Sequence, residues 1–388
     1  MAVAYFPNSP RLNARAGESE LSLNEDREAG VARAQQFLTR AVAWSPNDYH
    51  FRIGQASARE ANGDRTGAER SLREAVALAP SLAEVHWRLA NLLVRTGKLD
   101  QSLDDFRFAT SIQPDLLVNA LELVWNVSRG NSAAATRIAG PDVRSQLALA
   151  HFLLRKSDYE HAISIFNQTA PKARLATVEG TTSSAAFINT MVETGRSREA
   201  LDCWLKTLGL KADELFPDGG FEAEIPQGFE QFGWRINKSE YARLSISHAA
   251  DVAAITAHSG RNALRIDFAG RDTTKLNGEV SHLLAVVPGA KYQLEFYVRA
   301  QNLITPEGPR VVLVNGSTTV AESGPVGAGT YEWRRLECDF TAPASAHSLQ
   351  LQIRRLPKFT YDDPTSGSIW FDDFSLNQRG GSSVTSAR

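Results

Sequence analysis

The sequence predicts a two-part protein: an all-α superhelix of helical hairpins followed by an all-β jelly-roll sandwich. Three observations predict it. The first half repeats against itself at a fixed offset. The spacing of apolar residues then changes from three or four to two beyond Leu210. The length, 388 residues, also exceeds what a single core usually organises.

The repeat sets the first element. An offset of 34 superposes Ala34, Ala68 and Ser102, then Leu38, Leu72 and Phe106, then Ala41, Ala75 and Ala109, then Pro46, Pro80 and Pro114. Within a period, Ala68 to Leu78 carries apolar residues at helical spacing, and the proline stops that helix. Upstream, Val85, Leu89, Leu92 and Leu93 mark a partner helix ending near Gly97. Each period is therefore two helices around a tight turn. The small residues let the pair approach closely, and the large residue one turn later fills the space beside them.

These columns resemble the tetratricopeptide repeat (TPR) family, rendered here as Trp87, Leu89, Ala90, Leu93, Ser102, Phe106, Ala109 and Pro114. Two further copies run from Leu149 through Asp158, Ala162 and Phe166, and from Phe187 through Gly195, Ala200 and Trp204. The expected repeat domain is 1–210. The ruler slips once: from Leu117 to Val143 there are only 26 positions, and Gly130-Asn131-Ser132 falls where a helix belongs. The unit at 117–142 is therefore expected to be degenerate. The resemblance implies a concave groove, lined by first helices, that takes a protein or peptide partner. Helical phase places His50, Ile53, Ser57, Trp87, Arg88, Asn91, Arg95 and His151 there; the alternative is that they are solvated helix faces. Some family members grip a C-terminal carboxylate with Lys, Arg and Asn side chains. Asn91 matches one such place, but Ile53 and Ser57 occupy others, so that activity is not supported.

Residues 211–218 read as a linker, 219–377 as the sandwich and 378–388 as a tail. Eight runs alternate: 242–247, 263–268, 280–287, 292–299, 310–314, 334–340, 349–354 and 369–376. Turn chemistry at Val287-Pro288-Gly289 and Ala342-Pro343 closes strands. One face of the runs, including Leu264, Ile266, Phe268, Leu294, Phe296, Leu351 and Ile353, is sandwich filling. The other displays Arg265, Asp267, Gln293, Glu295, Tyr297, Arg299, Gln350, Gln352 and Arg354. Such side chains suit a glycan, whose hydroxyls take paired hydrogen bonds and whose C–H faces stack on a ring such as Tyr297. Trp234, Phe359 and Tyr361 add loop aromatics, whereas Trp333 and Trp370 are read as core. The alternative is a polar outer face of the kind any antiparallel sandwich has.

The ordered cues Gly220-Phe221-Glu222, Phe232-Gly233-Trp234, Ser259–Ile266, Val287–Tyr292, Gly329–Trp333 and Ser366–Leu376 resemble carbohydrate-binding modules with a galactose-binding-like jelly roll. The resemblance implies a sugar ligand and a structural Ca²⁺ held by Glu222 and Asp372. The alternative is that Asp372 and Asp373 cap a loop.

Composition narrows the function classes. With 43% hydrophobic and 22% charged residues the mix is globular, and 42 basic against 44 acidic side chains argue against an electrostatic nucleic-acid binder. No apolar run reaches the ~18 residues of a membrane span, and Met1–Leu21 lacks the layout of a secretory signal. Cys203 and Cys338 lie too far apart in sequence to suggest a disulfide framework or thiolate zinc site. No metalloprotease, nucleophile-elbow or phosphate-loop motif occurs. The carboxylate pairs Asp104-Asp105, Asp362-Asp363 and Asp372-Asp373 are adjacent, and adjacent residues on a strand point to opposite faces. The Asn-x-Ser/Thr triplets at Asn126, Asn167, Asn237 and Asn315 are read as coincidence.

The expectation is therefore a non-catalytic adaptor that joins a protein partner to a polysaccharide or surface glycan, as in bacterial exopolysaccharide or envelope processes. The alternatives are a purely structural assembly scaffold and an accessory part of a glycan-active enzyme. A periplasmic or extracellular place is expected if a signal or anchor precedes this chain, and a cytoplasmic one otherwise.

Overall fold

The computed structural model describes residues 6–23, 27–211, 214–248, 257–359, 361 and 363–379. Its contacts divide the chain into two compact units, with the border between Ile165 and Phe166.

The first unit is helical. Its helices are α1 (Pro10–Leu23), α2 (Arg27–Trp44), α3 (Tyr49–Ala61), α4 (Arg65–Leu78), α5 (Ala83–Arg95), α6 (Leu99–Ile112), α7 (Leu117–Val127), α8 (Ser132–Ala139), α9 (Val143–Arg155) and α10 (Tyr159–Gln168), the last crossing the border. They pack as successive pairs: α1 on α2, α3 on α4, α5 on α6 and α7 on α8. The 34-residue columns are the inside of these pairs. Ala34, Ala68 and Ser102 are buried, as are Leu38, Leu72 and Phe106, and Ala41, Ala75 and Ala109. Close approach explains two glycines as well. A Cβ on Gly17 or Gly54 would come within 2.6 or 2.7 Å of the Leu38 side chain, which wedges between their helices. Asp48 and Asp64 cap α3 and α4 by accepting from the N–H of His50 and Gly67 at 3.0 and 2.8 Å.

The degenerate unit is a helix pair after all, with a shortened second helix. Asn131 caps α8 by accepting from Ala133 and Ala134, and Ser132 is its first helical residue. At 8 residues against 14 in α4 and α6, α8 accounts for the slip of the ruler.

The second unit begins with a short turn of helix α11 (Pro171–Arg174), then α12 (Val178–Glu193) and α13 (Ser197–Leu208). Ten strands follow: β1 (Arg235–Ile236), β2 (Ala242–His248), β3 (Asn262–Ala269), β4 (Leu276–Ala285), β5 (Lys291–Ile304), β6 (Arg310–Asn315), β7 (Thr318–Glu322), β8 (Gly329–Thr341), β9 (Ser348–Arg355) and β10 (Ser366–Arg379). They form two five-stranded antiparallel sheets, ordered β1-β4-β9-β6-β7 and β2-β3-β10-β5-β8. All eight alternating runs are strands, and β1 and β7 are additional. The expected filling, from Leu264 to Ile353, is the buried core between the sheets.

The stretch expected as a linker is not a free tether. Phe216 is only 3% exposed and stacks on His282 and Phe374 inside the sandwich core. The helical hairpin is also joined to the sandwich: Trp204 of α13 is fully buried, donates from Nε1 to the Phe229 carbonyl at 2.8 Å and packs on Phe229 and Phe232.

Candidate functional sites

The helical unit assembles most of the groove expected from phase. His50, Ile53, Ser57 and Arg88 line a cavity of about 290 Å³ between α1, α3 and α5. A neighbouring cavity of about 420 Å³ is lined by Ser57, Glu60, Trp87, Arg88, Asn91 and Arg95. Ser57, Glu84 and Arg88 border both, so the two form one continuous groove. His151 is not among the residues lining either cavity. The groove's charges are matched at home. Arg95 makes a two-pronged pair with Glu60 at 2.8 and 3.0 Å, and Arg88 pairs with Glu84 one turn away. Trp87 lies edge-on to Phe106, and Asn91 turns its amide back to the Trp87 carbonyl. Phase missed Glu60 and Glu84, which this matching of charge makes part of the surface.

The sandwich departs from the expected glycan face. Alternation sorts residues into inner and outer faces, but it does not say which sheet a strand joins. Arg265, Asp267, Glu295, Tyr297 and Arg299 lie on β3 and β5 of one sheet, whereas Gln352 and Arg354 lie on β9 of the other. The two sets therefore look out from opposite sides of the sandwich. Tyr297 is not an open platform either: the His258 ring stacks on it with centroids 3.6 Å apart. Trp370, read as core, points outward beside Arg265 and Arg299 in the ladder, yet it is 0% exposed. Both guanidinium groups lie over its indole, at 5.1 and 6.0 Å. Trp234 is no loop platform: it stacks on Phe221, packs on Phe374 and donates to the Asp218 carbonyl at 2.9 Å.

Glu222 and Asp372 do come to one region, but their oxygens have other partners. Glu222 accepts from the N–H groups of Arg261 and Asn262 at 2.5 and 2.8 Å, and Asp372 accepts from His258 and Ser259 at 2.7 and 3.3 Å. Asp373 sits at a bulge with φ 47°, which turns it toward the same loop, where it meets His258 Nδ1 and the Ser259 hydroxyl. The rule that neighbours point apart fails at this bulge. Burial, reinforced by the Asp373 charge, pushes the Asp372 carboxyl up to about 6. Among the described residues no group of three or more His, Cys, Asp or Glu converges as a metal site. Both N–H groups on Glu222 go to Oε1, whereas both oxygens of Asp372 accept from backbone N–H groups, so a cation here would compete with those donors for Asp372.

A different corner of the sandwich gathers the features expected of the glycan face. Arg310, Val312, Glu322, Arg354, Leu356 and Lys358 are among the residues lining a cavity of about 330 Å³ against the β6–β9 sheet. Arg354 and Gln352 form a hydrogen-bonded row with Gln350 along β9, at 2.7 and 2.9 Å. Beyond Lys358 the loop presents Phe359 and Tyr361, which are 54% and 76% exposed. A buried ion pair holds that loop. Asp363 and Arg355 are both 0% exposed and bonded to each other; Asp363 also accepts from the N–H groups of Lys358 and Phe359. Burial works to raise the Asp363 carboxyl, but these N–H donors and Arg355 outweigh it and hold it below the usual carboxylate range. Asp362 lies outside the described residues. Leu356, Pro357 and Lys358 at the start of this loop frame the Arg310 cavity, on the sheet opposite the one that carries Tyr297.

No family model matches this chain, and no curated protein matches it significantly. Solved structures similar to parts of it include a carbohydrate-binding module, CBM4, at 16% identity, covering 42% of this chain and 99% of that one, TM-score 0.30. YrrB, a TPR protein with a peptide-binding site, is 12% identical over 55% of this chain and 91% of its own, TM-score 0.27. A cyclase from Fischerella sp. TAU is 15% identical over 44% of this chain and 98% of its own, TM-score 0.33. Likenesses at this level carry nothing about activity; the helical repeats and the two-sheet sandwich stand on the elements and registers above.

Proposed function

We propose that this protein is a non-catalytic adaptor whose helical unit takes a protein segment in the His50–Arg95 groove and whose sandwich takes a polysaccharide. The sugar site is the Arg310–Arg354 cavity with the adjoining Phe359 and Tyr361. The observation that carries this reading is that the loop leaving the cavity of arginine and carboxylate side chains at Lys358 continues into two largely exposed aromatics, Phe359 and Tyr361, with the N–H groups of Lys358 and Phe359 held by the buried Asp363. Exposed aromatic rings order water that a ligand releases, and the Asp363 contact to the Phe359 N–H lowers the ordering cost of holding that ring for a sugar. Arginine forks and carboxylates supply the paired hydrogen bonds that sugar hydroxyls accept and donate.

Affinity electrophoresis of the full chain against a panel of neutral and acidic polysaccharides tests it. Retardation by one of them, lost in the Phe359→Ser/Tyr361→Ser double variant and kept in Tyr297→Ala, is the expected result. Retardation lost only in Tyr297→Ala moves the site to the other sheet. No retardation by any polysaccharide rejects the sugar role and favours an assembly scaffold.

A further inference from the structure

We infer that the second unit carries a small oxyanion-binding site where the α12–α13 turn meets the sandwich, with Arg198 as its principal ligand. The cavity there, about 460 Å³, is lined by Arg196, Arg198, Glu199, Val287, Pro288 and His347 among others. Its charge is uneven. Arg196 is tied to Glu199 at 2.8 Å, so those two cancel. Among the described residues Arg198 has neither a hydrogen bond nor an ion pair, and its Nη1 is buried away from water without an acceptor. Arg198 borders the cavity through its other atoms, so an anion there meets a guanidinium charge that no acidic side chain in the described residues neutralises. The His347 imidazole, on the sandwich wall of the same cavity, offers a ring N–H as a second donor.

Both walls are preformed. Arg196 and Gly195 donate to the carbonyls of Met191 and Val192 at 2.8 and 3.0 Å, closing the helical turn. On the sandwich side Val286 donates to the His347 carbonyl at 3.0 Å and Val287 to the Tyr292 hydroxyl at 2.8 Å. Gly195 has φ 79°, and a Cβ there would come within 3.2 Å of the His347 ring, so the turn must be glycine for the imidazole to lie across it. The fork of a guanidinium matches two oxygens of a phosphate, sulfate or carboxylate, so an oxyanion is the ligand class.

Thermal melting and titration calorimetry of the full chain test this with phosphate, sulfate and glucuronate, each against chloride at matched ionic strength and with glucose as the uncharged partner of glucuronate. At about 20 mM, at least one oxyanion should raise the melting temperature of the second unit by roughly 2–4 °C over chloride, and Arg198→Gln should abolish the rise. His347→Gln should weaken it. A glucuronate response without a phosphate or sulfate response identifies an acidic sugar as the source, and the reverse identifies an inorganic or phosphoryl group. In chloride, Arg198→Gln should melt no lower than the parent, because it removes a charge that has no partner. The inference is overturned if no oxyanion exceeds chloride, if Arg198→Gln responds like the parent, or if that variant melts several degrees lower in chloride.

Discussion

The two units differ in how far they bury charge. In the helical unit the described arginine and lysine ion pairs lie at the surface, as in Arg95–Glu60, Arg88–Glu84 and Arg73–Glu69, each with at least one partner well exposed. Cohesion there comes from small residues at helix crossings. The sandwich unit instead buries ionic groups, with Arg355 and Asp363 both fully enclosed, Asp372 at the end of the core and Arg174 over the Phe166 ring at 3.8 Å. Surface pairs contribute little and can be exchanged, whereas buried charges fix a geometry and fail badly when one partner is lost. The helical unit is therefore tolerant in its charges and intolerant in its volumes, and the sandwich is the reverse around its 356–363 loop.

The strongest way to break this contrast is to remove one partner of the buried pair. Arg355→Met or Asp363→Ala should each destabilise the second unit by about 3–5 kcal/mol, followed by urea unfolding, while the Arg355→Met/Asp363→Leu double variant recovers most of the loss. Singles that cost under ~1 kcal/mol would mean the pair is dispensable. In the helical unit the matching test is volume. Ala68→Leu should cost about 1–3 kcal/mol, read by helical circular dichroism, because the added methylenes meet a closed crossing.

The smallest expected effect sharpens the contrast through pH. The Asp372 carboxyl ionises near 6 in the folded chain against 3.8 for an ordinary aspartate, so the folded state holds a proton that the unfolded state releases between about pH 4 and 6. Stability from this group is present at low pH and is lost as pH rises through 6. From pH 7 to 5 the urea midpoint should therefore shift upward more in the parent than in Asp372→Asn. An identical shift in both would remove Asp372 from the balance.

How far such features can be read from sequence depends on the range of the contact. The helical columns were legible because Ala68, Leu72 and Ala75 meet partners within one 34-residue period, and phase placed part of the groove lining but missed Glu60 and Glu84 and wrongly added His151. The strands were legible for the same local reason, and so was the division of Leu294 from Glu295. What period two cannot encode is strand partnership across the chain. The placement of β9 beside β4 and β6, and of β10 between β3 and β5, separated Arg354 from Arg265. The bulge at Asp373 and the cover of His258 over Tyr297 are likewise set by distant residues: the bulge lies against β5, and His258 is held by Asp373, which is 115 positions away. Exposed Phe359 and Tyr361 were visible as loop aromatics; the Asp363–Arg355 clasp that gives them meaning joins residues whose burial has no signature in spacing.

The seating of Trp204 against Phe229 and Phe232 bears on how this protein can be cut. The switch from helix to strand invites a boundary after Leu208, yet a fragment starting there would strip an indole from two phenylalanine rings and leave the Phe229 carbonyl without its donor. A recombinant sandwich should instead begin upstream of Pro171, so that the last hairpin travels with it.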